Sequence, residues 1–262
     1  MKILLSNDDG IHAEGIRALC DALKDEHEIY VVAPDTQKSA AGHSVTYFRE
    51  AHDANRVDIP GVKEAWEVVG GTPADCVYFA LYGLIKEKID LVISGINHGE
   101  NLSSDCMYSG TVAAALEAYI AGVPAIATSY CSYTEKTFED AAEIIRDFIC
   151  EFMKDENRNY CLNMNIPAIK KEEMKGFRIT HFDGERIYAN KVQVNEINDQ
   201  TVNLSCFTNG IETRDMKGDT GDVSAIHQGY VSLTPLAYDF VKHSAIEDMK
   251  HFEQLSIKKE HD

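Results

Sequence analysis

The sequence predicts an α/β protein with a mostly parallel sheet, to which an antiparallel hairpin arm and a C-terminal helix are added. Two observations predict this class. In the first part of the chain, apolar runs without polar alternation, typical of strands buried on both faces, alternate with segments of helical apolar spacing. Further along, strand-like runs follow one another without intervening helices, as in antiparallel hairpins. We therefore expect a core over residues 1–168 and an extension over residues 169–262, of which residues 222–240 return to the core.

The core elements follow one another as strands joined by helical crossovers, which favours parallel pairing. Pro34 ends the second strand, and Thr72 followed by Pro73 is a typical helix start, because threonine caps and proline suits the first turn. Core strands are predicted at Lys2–Leu5, Glu28–Ala33, Asp90–Gly95, Ala125–Ser129 and Cys161–Ile166, with extended segments around Val45–Phe48 and Trp66–Val69. Helices are predicted at Glu14–Lys24, Val112–Ala121 and Phe138–Lys154, and from Thr72 with Val77, Tyr78, Leu81 and Leu84 as the buried face.

The extension is predicted to be hairpin-like, and arms of this kind often mediate contacts between subunits. Its strands are Phe177–Phe182, Lys191–Ile197 and Thr201–Phe207, with turns at Asp183–Gly184 and Asn198–Asp199. A strand at Gly229–Pro235 then returns to the core. A closing helix over residues 244–255 would present Ile246, Met249, Phe252 and Leu255 as its apolar face, and the tail Lys258–Asp262 is expected to fray.

Composition and charge exclude several classes of function. The chain has 262 residues, of which 44% are hydrophobic and 26% charged, as is ordinary for a soluble globular protein. A net charge of −18 argues against binding along the backbone of DNA or RNA, and no apolar run is long enough to span a membrane. Seven scattered cysteines without a Cys-x-x-Cys pair, and a start without a signal peptide, predict reduced thiols and a cytoplasmic location.

The run Asn7-Asp8-Asp9-Gly10 follows the first strand directly. Ligands of open parallel sheets collect beyond the carboxyl ends of the strands, where Asp8 and Asp9 would repel each other unless a cation lay between them. Gly10 permits the turn that the two carboxylates need in order to converge. Their oxygens suit Mg²⁺, Mn²⁺ or Ca²⁺. The alternative is a solvated Asn-Asp-Asp-Gly turn, which is common after strands.

Two further polar loops leave the carboxyl ends of predicted strands. Residues 35–44 contain Lys38 as a candidate phosphate contact, and Ser39, His43 and Ser44 as candidates for chemistry. Residues 96–108 lead to Ser109-Gly110-Thr111 at a helix start, where backbone N–H groups and hydroxyls can hold a phosphate without a basic side chain. A surface loop and an ordinary capped helix are the alternatives. The coincidence of three such loops at one edge of the sheet favours a binding site.

Six motifs resemble the SurE family of 5'/3'-nucleotidases, in family order from residue 1 to about residue 235. The motifs are Ser6-Asn-Asp-Asp-Gly10, Gly71-Thr-Pro-Ala-Asp-Cys76, Ser94-Gly-Ile-Asn97, Tyr108-Ser-Gly-Thr-Val-Ala-Ala-Ala115, Asn163-Met-Asn-Ile-Pro167 and Gly229-Tyr-Val-Ser-Leu-Thr-Pro235. The resemblance implies a Rossmann-like three-layer core and a divalent-metal-dependent phosphatase that hydrolyses nucleoside monophosphates. It also implies a homodimer or homotetramer assembled through the extension.

The resemblance also assigns roles to residues of this chain. It implies one divalent ion per subunit, with Mg²⁺ or Mn²⁺ expected, held by Asp8, Asp9, Ser39 and Asn97. It implies a site for the substrate phosphate at Asn101, Ser109, Gly110 and Thr111. Asp8 or Asp9 would act as general base or as nucleophile. The aspartate nucleophiles of other phosphatases have Asp-x-Asp spacing, so the adjacent pair favours direct attack by water.

Three positions depart from the family pattern and bear on loop geometry and substrate preference. Ala40 stands where glycine is usual, His98 stands where many members have a small residue, and Gly221 interrupts a Thr-Asp pair that ends at Asp222. Two other functions remain open. One is a dinucleotide-dependent oxidoreductase, against which the first turn lacks Gly-x-Gly-x-x-Gly. The other is a non-catalytic nucleotide-binding or assembly protein with the same fold.

Overall fold

The structure is a computed structural model that describes residues 1–134, 137–155, 160–183, 188–198, 200–211 and 220–254. Its strands are β1 Lys2–Ser6, β2 Glu28–Pro34, β3 Ala54–Arg56, β4 Glu64–Val68, β5 Leu91–His98, β6 Ala125–Cys131, β7 Cys161–Pro167, β8 Phe177–Ile179, β9 Tyr188–Asn198, β10 Thr201–Ile211 and β11 Val231–Leu236. Its α-helices are α1 Glu14–Leu23, α2 Pro73–Phe79, α3 Gly110–Ile120, α4 Glu139–Phe152, α5 Asp222–His227 and α6 Ile246–Met249.

Nine strands form one sheet in the order β3-β4-β2-β1-β5-β6-β7-β11-β8. β1 pairs in parallel with β2 on one side and with β5 on the other. Antiparallel pairs occur towards the edges, between β3 and β4 and between β7 and β11. The predicted α/β class with a mostly parallel sheet is therefore confirmed, and the carboxyl ends of β1, β2 and β5 meet at one edge.

Helices cover both faces of the sheet, so the core has three layers. Ile3 and Leu5 of β1 pack with α1 and α4 on one face, while Leu4 packs with α2 and α3 on the other. Alternate side chains of a strand point to opposite faces, which explains why the run Ile3–Leu5 is apolar throughout. Within the part of the chain that the structure describes, no helix is long and apolar enough to cross a membrane.

The extension contains the two-stranded antiparallel pair β9–β10, as predicted. β8 was expected in this arm, but it pairs in parallel with β11 at the edge of the large sheet. β11 itself pairs with β7. The division of the chain at residue 168 stays a prediction. The predicted turns at Asp183–Gly184 and Asn198–Asp199, and the tail Lys258–Asp262, lie partly or wholly outside the described residues.

Two predicted elements are wrong. Residues 45–48 do not form a strand: residues 47–49 form a turn, and the backbone N–H groups of Thr46 and Tyr47 donate to the Asp75 carboxylate over 2.9 and 3.4 Å. The closing helix is reduced to the single turn of α6 between two 3₁₀ turns. Its intended apolar face is open to solvent in the single chain, with Ile246 and Met249 47% and 57% exposed; Leu255 lies outside the described residues.

Gly15 permits the closest approach between α1 and β5. A Cβ at this position would lie 2.0 Å from the carbonyl oxygen of Ile96, which is backbone and cannot rotate away. We expect Gly15→Ala to lower the free energy of unfolding by about 2 kcal/mol, the usual cost of overpacking. Gly83→Ala is the matched control, because a Cβ there meets no atom within 4 Å. Urea unfolding of both variants checks this, and equal stability would contradict the proposed constraint.

Candidate active site

The turn after β1 is built by the Asn7 side chain. Its amide nitrogen donates to the carbonyl of Gly10 over 2.8 Å, and its amide oxygen accepts from the Gly10 N–H over 3.2 Å. Gly10 has a φ of +98°, which residues with a Cβ rarely adopt. This local turn ends the strand and places Asp8 and Asp9 at the carboxyl edge of the sheet.

Asp8 is buried against the start of α3. The hydroxyl of Thr111 donates to its Oδ1 atom over 2.6 Å, and the side chain is only 5% exposed. The pKa of Asp8 is raised to about 6, because burial and, to a smaller extent, the nearby charge of Asp9 raise it more than the Thr111 hydrogen bond lowers it. Gly110 leaves room for this contact, because a Cβ there would lie 2.9 Å from the Asp8 Cβ. The strand end and the helix start are therefore in direct contact.

Asp9 joins the two neighbouring loops to the turn. Its Oδ1 accepts from the side-chain amide of Gln37 over 3.1 Å, and its Oδ2 accepts from the His98 N–H over 3.3 Å. The Lys38 N–H donates to the Asp8 carbonyl over 2.7 Å. Ser39 directly follows Lys38, and Asn97 directly precedes His98. The structure thus brings the segments that carry all four predicted metal ligands to one place.

The predicted ligands differ in exposure. Ser39 is exposed on its loop, whereas Asn97 is half-buried at the end of β5. The Asn97 amide nitrogen donates to the Gly99 carbonyl over 2.8 Å, so the amide oxygen is the atom that could bind a cation. Ala40, next to Ser39, has a φ of +57°, a value at which glycine is the usual residue. This explains why alanine is unusual at that position.

The segment predicted to hold phosphate begins α3. Ser109 caps this helix by accepting from the Val112 N–H over 3.1 Å, so Gly110 and Thr111 are its first residues. The first backbone N–H groups of a helix have no partner within the helix and carry its positive dipole end. They can therefore bind an anion where Asp8 and Asp9 also lie.

Asn101 is placed differently from the other predicted phosphate residues. It is 7% exposed, and its side-chain nitrogen donates to the Ser129 hydroxyl over 2.8 Å. Its N–H donates to Asn165 Oδ1 over 2.9 Å, and its carbonyl accepts from the Asn163 and Asn165 amides over 2.8 and 3.0 Å. These contacts attach the loop that contains Asn101 to β6 and β7. Two asparagines with period 2 in an otherwise apolar buried strand were the sequence signal for this role.

The other candidates of the second loop have different surroundings. His43 Nε2 lies 2.9 Å from Oε2 of Glu117, a residue of α3 that is only 8% exposed. The Ser44 carbonyl accepts from the Thr72 hydroxyl over 2.8 Å and fastens the loop to α2. Thr72 also forms the predicted cap of α2 together with Asp75. These groups connect the loop to the helices.

The donor set suits a hard cation. The ligand atoms that Asp8, Asp9, Ser39 and Asn97 can offer are all oxygen, and a cation would offset the cost of charging Asp8 beside Asp9. Among the described residues there is no group of three or more His, Cys, Asp and Glu side chains that could hold a metal ion. A set of two carboxylates, a hydroxyl and an amide would not form such a group.

Comparisons with known proteins agree with the motifs. A family model described as survival protein SurE matches residues 3–189. A 5'-nucleotidase SurE of Syntrophomonas wolfei is 41% identical over 259 residues, which cover 98% of this chain and 96% of that protein. A 5'-nucleotidase SurE of Vibrio cholerae serotype O1 is 38% identical over 255 residues, covering 96% and 97%.

A solved structure agrees as well. The crystal structure of SurE protein from Aquifex aeolicus has a TM-score of 0.84 at 35% sequence identity, covering 97% of this chain and 100% of that chain. The resemblance that the motifs predicted is therefore confirmed, and the chain belongs to the SurE family.

Proposed function

We propose that this protein is a divalent-metal-dependent phosphatase that hydrolyses nucleoside monophosphates to nucleoside and phosphate. The observation that carries the proposal is the 2.6 Å hydrogen bond from the Thr111 hydroxyl to Asp8, which joins a carboxylate pair to the start of a helix. The pair suits a cation, and the helix start suits the phosphate. The relatives named 5'-nucleotidase SurE support the choice of nucleoside monophosphates.

The residues of the chain divide the work between binding and positioning. The N–H groups of Gly110 and Thr111 donate to phosphate oxygens, and these bonds strengthen as charge develops in the transition state. Ser109 fixes the direction of those donors by capping α3. The Thr111 hydroxyl holds Asp8 in one orientation. Asn101 supports the loop from the interior.

One divalent cation per subunit, Mg²⁺ or Mn²⁺, would be held by Asp8, Asp9, Ser39 and Asn97. When bound, it would supply positive charge to the phosphate. Asp8 or Asp9 accepts a proton from the water that attacks the phosphorus and displaces the nucleoside, or attacks the phosphorus itself, displaces the nucleoside and is freed when water hydrolyses the acyl phosphate. The adjacent aspartates favour the first route. Assembly into a homodimer or homotetramer and a cytoplasmic location stay predictions.

Asp8→Asn tests the proposed reaction. We expect phosphate release from a panel of 5'- and 3'-nucleoside monophosphates to require Mg²⁺ or Mn²⁺, to stop with chelator, and to fall roughly a hundredfold or more in the variant. Asp140→Asn, an exposed change on α4, is the matched control and should retain full activity. Binding of nucleotides by folded wild-type protein without release under any metal would instead favour the non-catalytic binding protein.

The configuration at phosphorus distinguishes the two routes. Direct attack by water is one displacement and inverts the configuration. Attack by an aspartate displaces the nucleoside, water then hydrolyses the acyl phosphate at phosphorus, and the two displacements together retain the configuration. A nucleoside phosphorothioate made chiral with ¹⁸O and hydrolysed in ¹⁷O-labelled water releases a chiral thiophosphate whose configuration can be determined. We expect inversion, and retention would contradict direct attack.

The buried Asp8 carboxyl also makes stability depend on pH. Because its pKa is raised in the folded protein, the stability contributed by the neutral form is present below the ordinary value of 3.8 and is lost as the pH rises through about 6. For chelator-treated protein we expect the unfolding free energy of wild type, relative to Asp8→Asn, to fall by about 2 kcal/mol between about pH 4 and about pH 7.5. Urea unfolding at both pH values checks this, and a constant difference would contradict it.

A further inference from the structure

Ser103 has an unusual backbone conformation within residues 101–111, the segment proposed to bind the phosphate group. Its φ is +48° and it is 0% exposed. A residue with a Cβ pays about 1 kcal/mol or more for this left-handed conformation. Serine persists there only if its surroundings hold it, so the contacts of Ser103 need to be identified.

Asp222, which lies 119 residues further along the chain, accepts hydrogen bonds from Ser103. Asp222 Oδ2 accepts from the Ser103 N–H over 2.6 Å, and Oδ1 accepts from the Ser103 hydroxyl over 3.1 Å. Oδ1 also accepts from the N–H groups of Val223 and Asp183 over 3.0 and 3.3 Å. Asp222 is 0% exposed, so four donors surround a carboxylate that has no contact with solvent.

The position of Asp222 depends on its neighbours in sequence. A Cβ on Gly221 would lie 1.7 Å from Asp183 Oδ1, so a larger residue there would displace the Asp183 carboxylate. That carboxylate accepts from the Val223 N–H over 3.2 Å, next to Asp222. On the other side, Val223 packs against Leu102, the residue that precedes Ser103. The loop is therefore held by an apolar contact as well as by the carboxylate.

A change in the position of Ser103 would also displace Asn101 and Ser109, two of the residues predicted to bind phosphate. Ser103 begins the 3₁₀ turn Ser103–Met107, and the Cys106 carbonyl accepts from the Ser109 N–H over 3.4 Å. In the other direction, the Cys106 thiol donates to the Asn101 carbonyl over 3.2 Å. The two ends of the predicted phosphate segment thus depend on one short turn, and Asp222 holds the first residue of that turn.

We propose that Asp222 is a positioning residue, which fixes Ser103 and thereby sets the geometry with which residues 101–111 bind the phosphate group. The proposal rests on the proposed function, because it takes that segment to be the phosphate site. Asp222 is buried and takes no part in the chemistry. Loss of the Asp222 carboxylate should weaken the binding of substrate and of product phosphate alike, because both bind to the same loop.

Asp222→Asn is the sharpest test. It preserves the size of the side chain but leaves one acceptor oxygen in place of two, so either the Ser103 N–H or the other donors would face an amide nitrogen. We expect KM for the nucleotide and the inhibition constant of inorganic phosphate to rise together by about tenfold, the ratio for one lost hydrogen bond to a charged group. The turnover number at saturating substrate should change less than about threefold, because the Ser109 cap still holds the Gly110 and Thr111 donors at the start of α3.

Ser232→Ala is the matched control. Ser232 is also buried, on β11, and its hydroxyl lies 2.8 Å from the Thr180 hydroxyl. It should lower thermal stability without changing either constant. Ser103→Gly supplies a second variant in case Asp222→Asn does not fold. It relieves the strained φ but removes the hydroxyl, and KM and the inhibition constant should again rise in the same ratio.

Calorimetric binding of inorganic phosphate to metal-loaded protein separates the two proposals. Wild type that binds phosphate but releases none from nucleotides would overturn the reaction and still test Asp222 through the dissociation constant. A folded Asp222→Asn protein whose KM, inhibition constant and phosphate affinity stay within about twofold of wild type would overturn the positioning role. A rise in KM without weaker phosphate binding would overturn it too, because the loss would then concern the nucleoside.

Discussion

The buried carboxylate of Asp8 is the group on which the carboxyl edge of the sheet depends. Burial makes its charge costly, so its surroundings must provide hydrogen bonds or positive charge. Thr111 provides a hydrogen bond from the start of α3, and Gly110 has no side chain to push the helix away. The strand proposed to bind a cation and the helix proposed to bind phosphate are therefore fixed to each other, and neither can move alone.

Much of this edge could be predicted from the sequence, because the signals are local. Strands buried on both faces lack polar alternation, so β1, β2 and β5 are visible as apolar runs. Parallel pairing then brings the loops after them together, whatever the details of each loop. Asp8, Asp9 and the start of α3 could be named for that reason.

The rest depends on contacts between distant parts of the chain. Residues 45–48 have the β-branched and aromatic composition of a strand, yet Asp75 draws their N–H groups into a turn. The helical spacing after residue 244 predicts a helix, but Ile246, Met249 and Phe252 are 47%, 57% and 52% exposed, so little burial stabilises one. The pairing of Ser103 with Asp222 could not be predicted, because neither residue carries a pattern that points to the other.

The distance along the chain between Ser103 and Asp222 has a consequence for synthesis. Residues 1–167 contain β1, β2 and β4–β7 and the helices that cover them, so this part can collapse while the ribosome is still translating. The loop at Ser103 cannot take its final shape until Asp222 has left the exit tunnel, and the contact closes a long loop at an entropic cost. The nascent chain would thus form its carboxylate pair early and complete the loop proposed to bind phosphate late. Hydrolysis before release of the finished polypeptide would be limited by that order of assembly.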